Sequence, residues 1–179
     1  MPEPKGRLVT PVGFDPSGKP VSLLTDSEGR LEVILALQTT AKARAYLSTT
    51  QSIAHATFTK ILFDAESYDP GGNFDTANSR FVAPVAGMYM VAAAARITDA
   101  TLVADKNYGL HIYVNGERVL ETWQQASTAT RLTIFTFDII QLNAGDYVEI
   151  YIYQDSGGSV DLQADSLSTF VSIHLLSAS

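Results

Sequence analysis

From Ala45 onward the chain reads as short runs of β-branched and aromatic residues with apolar side chains recurring at every second position, each run closed by a cluster of turn-forming residues. A period of two is the mark of strands that show one face to a core. The pattern predicts strands over residues 43–48, 57–63, 79–83, 87–97, 108–115, 118–124, 131–142, 146–154 and 168–176. The breaks carry turn chemistry: Asp69-Pro-Gly-Gly-Asn73, Asn115-Gly116, Asn143-Ala-Gly145 and Asp155-Ser-Gly-Gly-Ser159. Asn-Gly between two such runs is a strong hairpin signal. Short strands at this spacing predict an all-β sandwich or barrel.

Splitting each strand into its two faces sharpens the prediction. In 131–142 one face offers Leu132, Ile134, Ile140 and Leu142, and the other offers Phe135, Phe137 and Ile139. In 146–154 one face is Val148, Ile150 and Ile152, and the other is Tyr147, Glu149, Tyr151 and Tyr153. Residues 88–95 (MYMVAAAA) place small side chains on both faces. A sandwich buries one face of each sheet, so a second apolar face needs another element or another subunit to cover it. Aromatic enrichment without charge is the composition of interface centres. Phe135, Phe137, Tyr151 and Tyr153 are therefore the candidates for a contact between subunits.

The first 42 residues are of a different kind. Five of the seven prolines (Pro2, Pro4, Pro11, Pro16 and Pro20) stand in the first 20 positions, where each removes a backbone donor. Two Asp-x-x-Gly turn signals follow, Asp15 to Gly18 and Asp26 to Gly29, each leading into an apolar stretch. They predict two small hairpin-like turns. Residues 31–37 (LEVILAL) fit a buried strand by length, with a helical reading of 31–46 as the alternative. The expected organisation is an extended arm over 1–42 that orders against a neighbour or a larger assembly, and a β domain over 43–179.

Composition and charge narrow the function. Hydrophobic residues make up 46% of the 179 and charged residues 17%, well under the roughly 25% of an average soluble domain, so the chain can bury a core and should not be disordered. The absence of cysteine removes disulfides, cysteine-ligated metals and thiol nucleophiles. The net charge of -7 divides into +1 over residues 1–44 and -8 over 45–179. Without a clustered positive field, neither nucleic acid nor an anionic membrane is an expected partner. No apolar run reaches the roughly 20 residues of a membrane helix, and residues 1–10 lack the apolar centre of a signal peptide.

Several motifs stand together in a recognisable order: Ala43-Arg-Ala-Tyr-Leu-Ser, Phe63 leading to Tyr68-Asp-Pro-Gly-Gly-Asn-Phe74-Asp, and Arg80-Phe81-Val-Ala-Pro84-Val-Ala-Gly87-Met-Tyr89. Tyr113-Val-Asn-Gly116, Leu142-Asn-Ala-Gly145-Asp146-Tyr-Val148 and Ser168-Thr-Phe170-Val-Ser-Ile-His-Leu175-Leu complete the set. In this order they make residues 43–177 resemble the globular head of the complement first-component q family, one of the tumour necrosis factor-like jelly rolls. The resemblance implies a ten-stranded jelly-roll sandwich assembled as a homotrimer. It gives Phe74, Phe81, Tyr89 and Phe170 the part of large core residues, with Gly87, Gly145 and Asp146 in the turns. There is no Gly-x-y collagen repeat. The Pro/Gly arm instead resembles those of bacteriophage virion proteins that decorate a capsid or sit on a tail or fibre. The expectation is a non-enzymatic structural protein on the virion exterior, joined through its arm to a capsid or tail protein. The alternative is a receptor-binding head whose loops 98–107 and 154–167 recognise a host-surface ligand.

Candidate chemistry is sparse. His55, His111 and His174 form no metal-ligand spacing, and no nucleophile elbow, P-loop or dinucleotide fingerprint occurs. Asp155, Asp161 and Asp165 share one acidic segment, without EF-hand spacing. No cofactor, metal site or catalytic residue is expected.

Overall fold

The computed structural model describes residues 11–14, 20–22 and 40–179. Pro11–Phe14 (β1) pairs antiparallel with Pro20–Ser22 (β2), Phe14 opposite Pro20 and Pro11 opposite Ser22. The chain thus reverses direction between β1 and β2. Each strand begins with its proline, where a missing N–H is tolerated. The second predicted turn, at Asp26, and the apolar run 31–37 lie outside the described residues.

The domain is built from Lys42–Tyr46 (β3), Gln51–Ile53 (β4), Thr59–Lys60 (β5), Ala65–Tyr68 (β6), Phe74–Asp75 (β7), Arg80–Val82 (β8), Gly87–Ile97 (β9), Asn107–Val114 (β10), Glu117–Gln125 (β11), Leu132–Leu142 (β12), Tyr147–Gln154 (β13), Val160–Leu162 (β14) and Phe170–Ala178 (β15). They form two antiparallel sheets. The first runs β12-β9-β15-β3-β6, with β14 meeting the end of β9 at Leu162 opposite Ile97 and carrying β4. The second runs β11-β10-β13-β8-β7, with the two-residue β5 beside β13. The main paths therefore hold the ten strands of a jelly roll, five to a sheet, with β4, β5 and β14 as short additions. The helical alternative for 31–46 fails over its described end, because Lys42–Tyr46 is a strand.

Alternation selects the core. β9 turns Tyr89, Val91, Ala93, Ala95 and Ile97 inward, β15 adds Val171, Ile173 and Leu175, and the second sheet answers with Tyr108, Leu110, Ile112, Val148, Ile150, Ile152 and Phe81. The two buried phenols keep partners. The Tyr89 hydroxyl donates to the Val85 carbonyl at 2.8 Å, and that of Tyr108 accepts from Val103 N–H at 3.0 Å and donates to the Val103 carbonyl at 3.1 Å. Where the sheets approach, Thr122 of β11 donates to the buried Thr136 of β12 at 2.8 Å.

The turns follow the sequence closely. Asn115 and Gly116 both take positive φ, 52° and 84°, the geometry of a type I′ hairpin that matches strand twist. Gly145 is at φ +89°, and the Asp146 carboxylate beside it accepts from Asn115 Nδ2 at 2.8 Å and Asn143 N–H at 2.7 Å. One carboxylate thereby ties two neighbouring turns together. Those hydrogen bonds, the one from the Asn115 side chain foremost, hold Asp146 below the usual carboxylate range. Gly87 is required for closeness: a Cβ there would collide with the Ser177 carbonyl and stand 2.7 Å from Leu175 Cδ1.

Phe74, Phe81 and Tyr89 sit in the core as expected, and Phe170 does not. It shares its side of β15 with Ser172 and His174, opposite the buried Val171, Ile173 and Leu175, so its ring lies on the outer face of the first sheet. There it carries the Arg44 guanidinium 4.1 Å above its centroid.

Candidate assembly surfaces

The register places the outer-face side chains of the first sheet in rows. One row runs Phe135, Ala94, Phe170, Tyr46, and the next runs Phe137, Ala92, Ser172, Arg44, Tyr68. A third runs Ile139, Met90, His174, Lys42. At the β12 end of these rows Phe135, Phe137 and Ile139 are 52%, 64% and 51% exposed, while their strand-mates Leu132, Ile134 and Leu142 are buried. Ala92 and Ala94 stand between this ridge and the side chains of β15, with Ala94 buried between Phe135 and Phe170.

The far side of the same face is polar. Arg44 donates to Ser67 Oγ at 2.9 Å and to the Ser166 carbonyl at 2.6 Å, and the hydroxyls of Tyr68 and Ser172 lie 3.2 Å apart. Lys42, Tyr68, Asp69, Pro70 and His174 border an open groove of about 620 Å³. Burial, with the Lys42 charge second, pushes the His174 imidazole below its ordinary value.

Tyr151 and Tyr153 stand elsewhere. β13 belongs to the second sheet, and its aromatic side chains face outward on the layer opposite Phe135 and Phe137. The structure therefore divides the four predicted contact residues into two pairs on two surfaces. On this second surface one row runs Trp123, Gly109, Tyr153, and the next runs Glu121, His111, Tyr151, Lys60. Phe58, just before β5, leans over Tyr153 with ring centroids 4.9 Å apart. The His111 ring lies 5.2 Å from that of Phe58 and 5.1 Å from that of Trp123. It is fully buried, neither of its nitrogens has a hydrogen-bond partner, and burial lowers its pKa to about 4. Lys60 and Glu149 pair at 2.9 Å beside the tyrosines.

The sequence pointed to the tyrosines of this surface and missed Trp123, His111 and Phe58. Two signals were available: Trp123 is the chain's only tryptophan, and Gly109 interrupts an otherwise bulky strand.

The two loops expected to recognise a host ligand do lie together. Thr98 N–H donates to the Asp161 carbonyl at 2.8 Å and Asp161 N–H to Thr101 Oγ1 at 2.8 Å. Asn107 N–H and Nδ2 donate to the Asp155 carboxylate at 2.7 and 2.9 Å. Asp165 likewise accepts from the N–H groups of Leu167 and Ser168, each at 2.7 Å. Two of the three aspartates of the acidic segment thus hold loop structure with their carboxylates. Among the described residues no group of three His, Cys, Asp or Glu side chains is placed to hold a metal ion.

Comparison with known proteins agrees with this architecture. The family model of the C1q domain matches residues 44–176. The chain is 33% identical over 129 residues to the uncharacterized protein YqcC of Bacillus subtilis (strain 168), covering 68% of this chain and 35% of that protein. It is 33% identical over 128 residues to the phage-like element PBSX protein XkdV of the same strain, covering 66% of this chain and 18% of that protein. It thus spans well under half the length of either relative. Among solved structures, the Eiger TNF of S. frugiperda aligns with a TM-score of 0.57 at 15% identity, over 77% of this chain and 93% of that one. The globular domain of zebrafish complement 1qA aligns with a TM-score of 0.56 at 14% identity, over 78% and 99%. At these identities the likeness is one of fold.

Proposed function

The chain belongs to the C1q domain family, and we propose that it is a non-enzymatic structural protein of a phage particle, a homotrimeric jelly roll on the virion exterior. In this reading the head decorates or stabilises the capsid, or sits on the tail or a fibre, and the arm over residues 1–42 fastens it there. The observation that carries the reading is the ridge of Phe135, Phe137 and Ile139 beside the alanines of β9, all three more than half exposed in the single chain. Large apolar groups in a contiguous outward row are the surface that association removes from water. Only one pair of the aromatic candidates, Phe135 and Phe137, serves this contact, because Tyr151 and Tyr153 are on the other layer.

The association with a phage particle rests on the kinship with a protein named for a phage-like element. The arm supports an anchoring part by its composition, nearly neutral and rich in proline, whereas the head is acidic. Immunogold labelling of intact particles from the source of this chain, with antibody raised against the full chain, tests the location. Regular labelling of the particle surface is expected. Unlabelled particles, with the protein found only in the unassembled fraction, would overturn the virion assignment.

A further inference from the structure

We propose that the outer face of the second sheet, centred on Trp123, Tyr153 and Phe58, is a carbohydrate-binding platform for neutral pyranose sugars. The first ground is construction. Trp123, Gly109 and Tyr153 stand in one row across three strands, and a Cβ on Gly109 would come within 2.6 Å of His111 Nε2 and 2.9 Å of Trp123 Cε3. The glycine lets the His111 and Trp123 rings lie down over the strand. The imidazole then wedges edge-on between Trp123 and Phe58, at 73° and 65°. Rings held this way lose little freedom on binding, which is the advantage of a rigid aromatic contact.

The second ground is area. Phe58 and Trp123 are 42% and 45% exposed, which for aromatic side chains leaves ~200 Å² open. A stable protein interface needs roughly 800 Å² from each partner, so this row is small for a protein and suited to one or two sugar rings. The third ground is charge. Arg118, whose guanidinium lies over the Phe58 ring 5.3 Å from its centroid, pairs with Glu121 at 3.3 Å, and Lys60 pairs with Glu149 at 2.9 Å. Paired charges supply donors and acceptors for hydroxyl groups without a net field, while the acidic head, -8 over residues 45–179, repels anionic polymers. A ligand with apolar C–H faces, many hydroxyls and no charge matches all three.

The platform does not depend on the trimer, since it lies on the layer opposite Phe137. Trp123, the only tryptophan, reports on its own site. The full chain is titrated with soluble hexasaccharides of glucose, of galactose and of N-acetylglucosamine, with dextran sulfate as the anionic probe, while tryptophan emission is followed. At least one neutral hexasaccharide should change the emission saturably at millimolar concentration or below, and dextran sulfate should not. Tyr153→Ala and the exposed Phe58→Ala keep the reporter and should each weaken binding at least tenfold, whereas Phe137→Ser should leave it unchanged. If none of the three neutral hexasaccharides gives a saturable change, or if binding survives both Tyr153→Ala and Phe58→Ala, the platform is refuted. A monomeric chain that still binds would overturn the assembly reading and leave the platform standing.

Discussion

Replacing Phe137 by aspartate separates the fold of the single chain from its assembly. Phe137 is 64% exposed in the single chain, so ~130 Å² of a roughly 200 Å² aromatic side chain is free to be covered. At about 25 cal/mol per Å² its burial contributes ~3 kcal/mol per copy, or ~9 kcal/mol over a threefold assembly if the three sites act alike. Aspartate forfeits that term and leaves a carboxylate facing apolar neighbours, a further cost unless the charge finds a partner. The fold of the single chain, in contrast, should change by no more than about 0.5 kcal/mol, as for other surface positions. Sedimentation velocity at micromolar concentration reads the assembly, and circular dichroism with a urea melt reads the fold. The expected result is loss of the trimer with the β-sheet spectrum and the melt of the dissociated chain intact. A variant that sediments as the wild type does would place the contact away from β12.

Three further outcomes follow from the packing. His111 takes up its proton near pH 6.5 when unfolded and near pH 4 when folded; between those values the unfolded state holds more protons, so stability should fall as pH falls through that window. Urea melts at pH 7, 5.5 and 4.5 should show that decline in the wild type and a flatter profile in His111→Phe; equal slopes would mean that the imidazole is not held neutral. Gly87→Ala, which drives a methyl group into the Ser177 backbone, should lower stability by about 1–3 kcal/mol, read as a shift of the urea midpoint; an unshifted midpoint would mean that β9 and β15 are not in close contact there. Tyr89→Phe removes the bond to the Val85 carbonyl and should cost about 1 kcal/mol, checked by the same melt; a neutral effect would argue against that bond.

Much of the fold could be read from the chain because its strongest signals were local. The prediction for β9 was correct at both ends and that for β12 to within one residue. Pro84-Val-Ala-Gly87 marks where β9 begins and Asn143-Ala-Gly145 where β12 ends. The strands missed were β4, β6, β7 and β14, of two to four residues each. Ala65-Glu-Ser-Tyr68 has no apolar alternation, and its pairing with β3 is a property of the neighbour. The outward place of Phe170 is written in its own strand, where it alternates with the buried Val171, Ile173 and Leu175, and not in the family motif.

The surfaces were half legible. Parity correctly turned Phe135, Phe137, Tyr151 and Tyr153 away from the core, but parity within a strand does not say which sheet the strand joins. The division of those four residues between two layers emerges only from the pairing of β12 with β9 and of β13 with β10. His111 likewise shares its side of β10 with Gly109 and Tyr113. Its complete burial depends on Phe58, more than fifty residues earlier in the chain, and no pattern along β10 contains that contact.

Self-association through the β12 face is read from the mass of the unmodified full chain, measured by light scattering over a micromolar dilution series. A homotrimer should give about 58 kDa, three times the 19.3 kDa of one chain, constant across the series. A mass of 19.3 kDa at every concentration would contradict it.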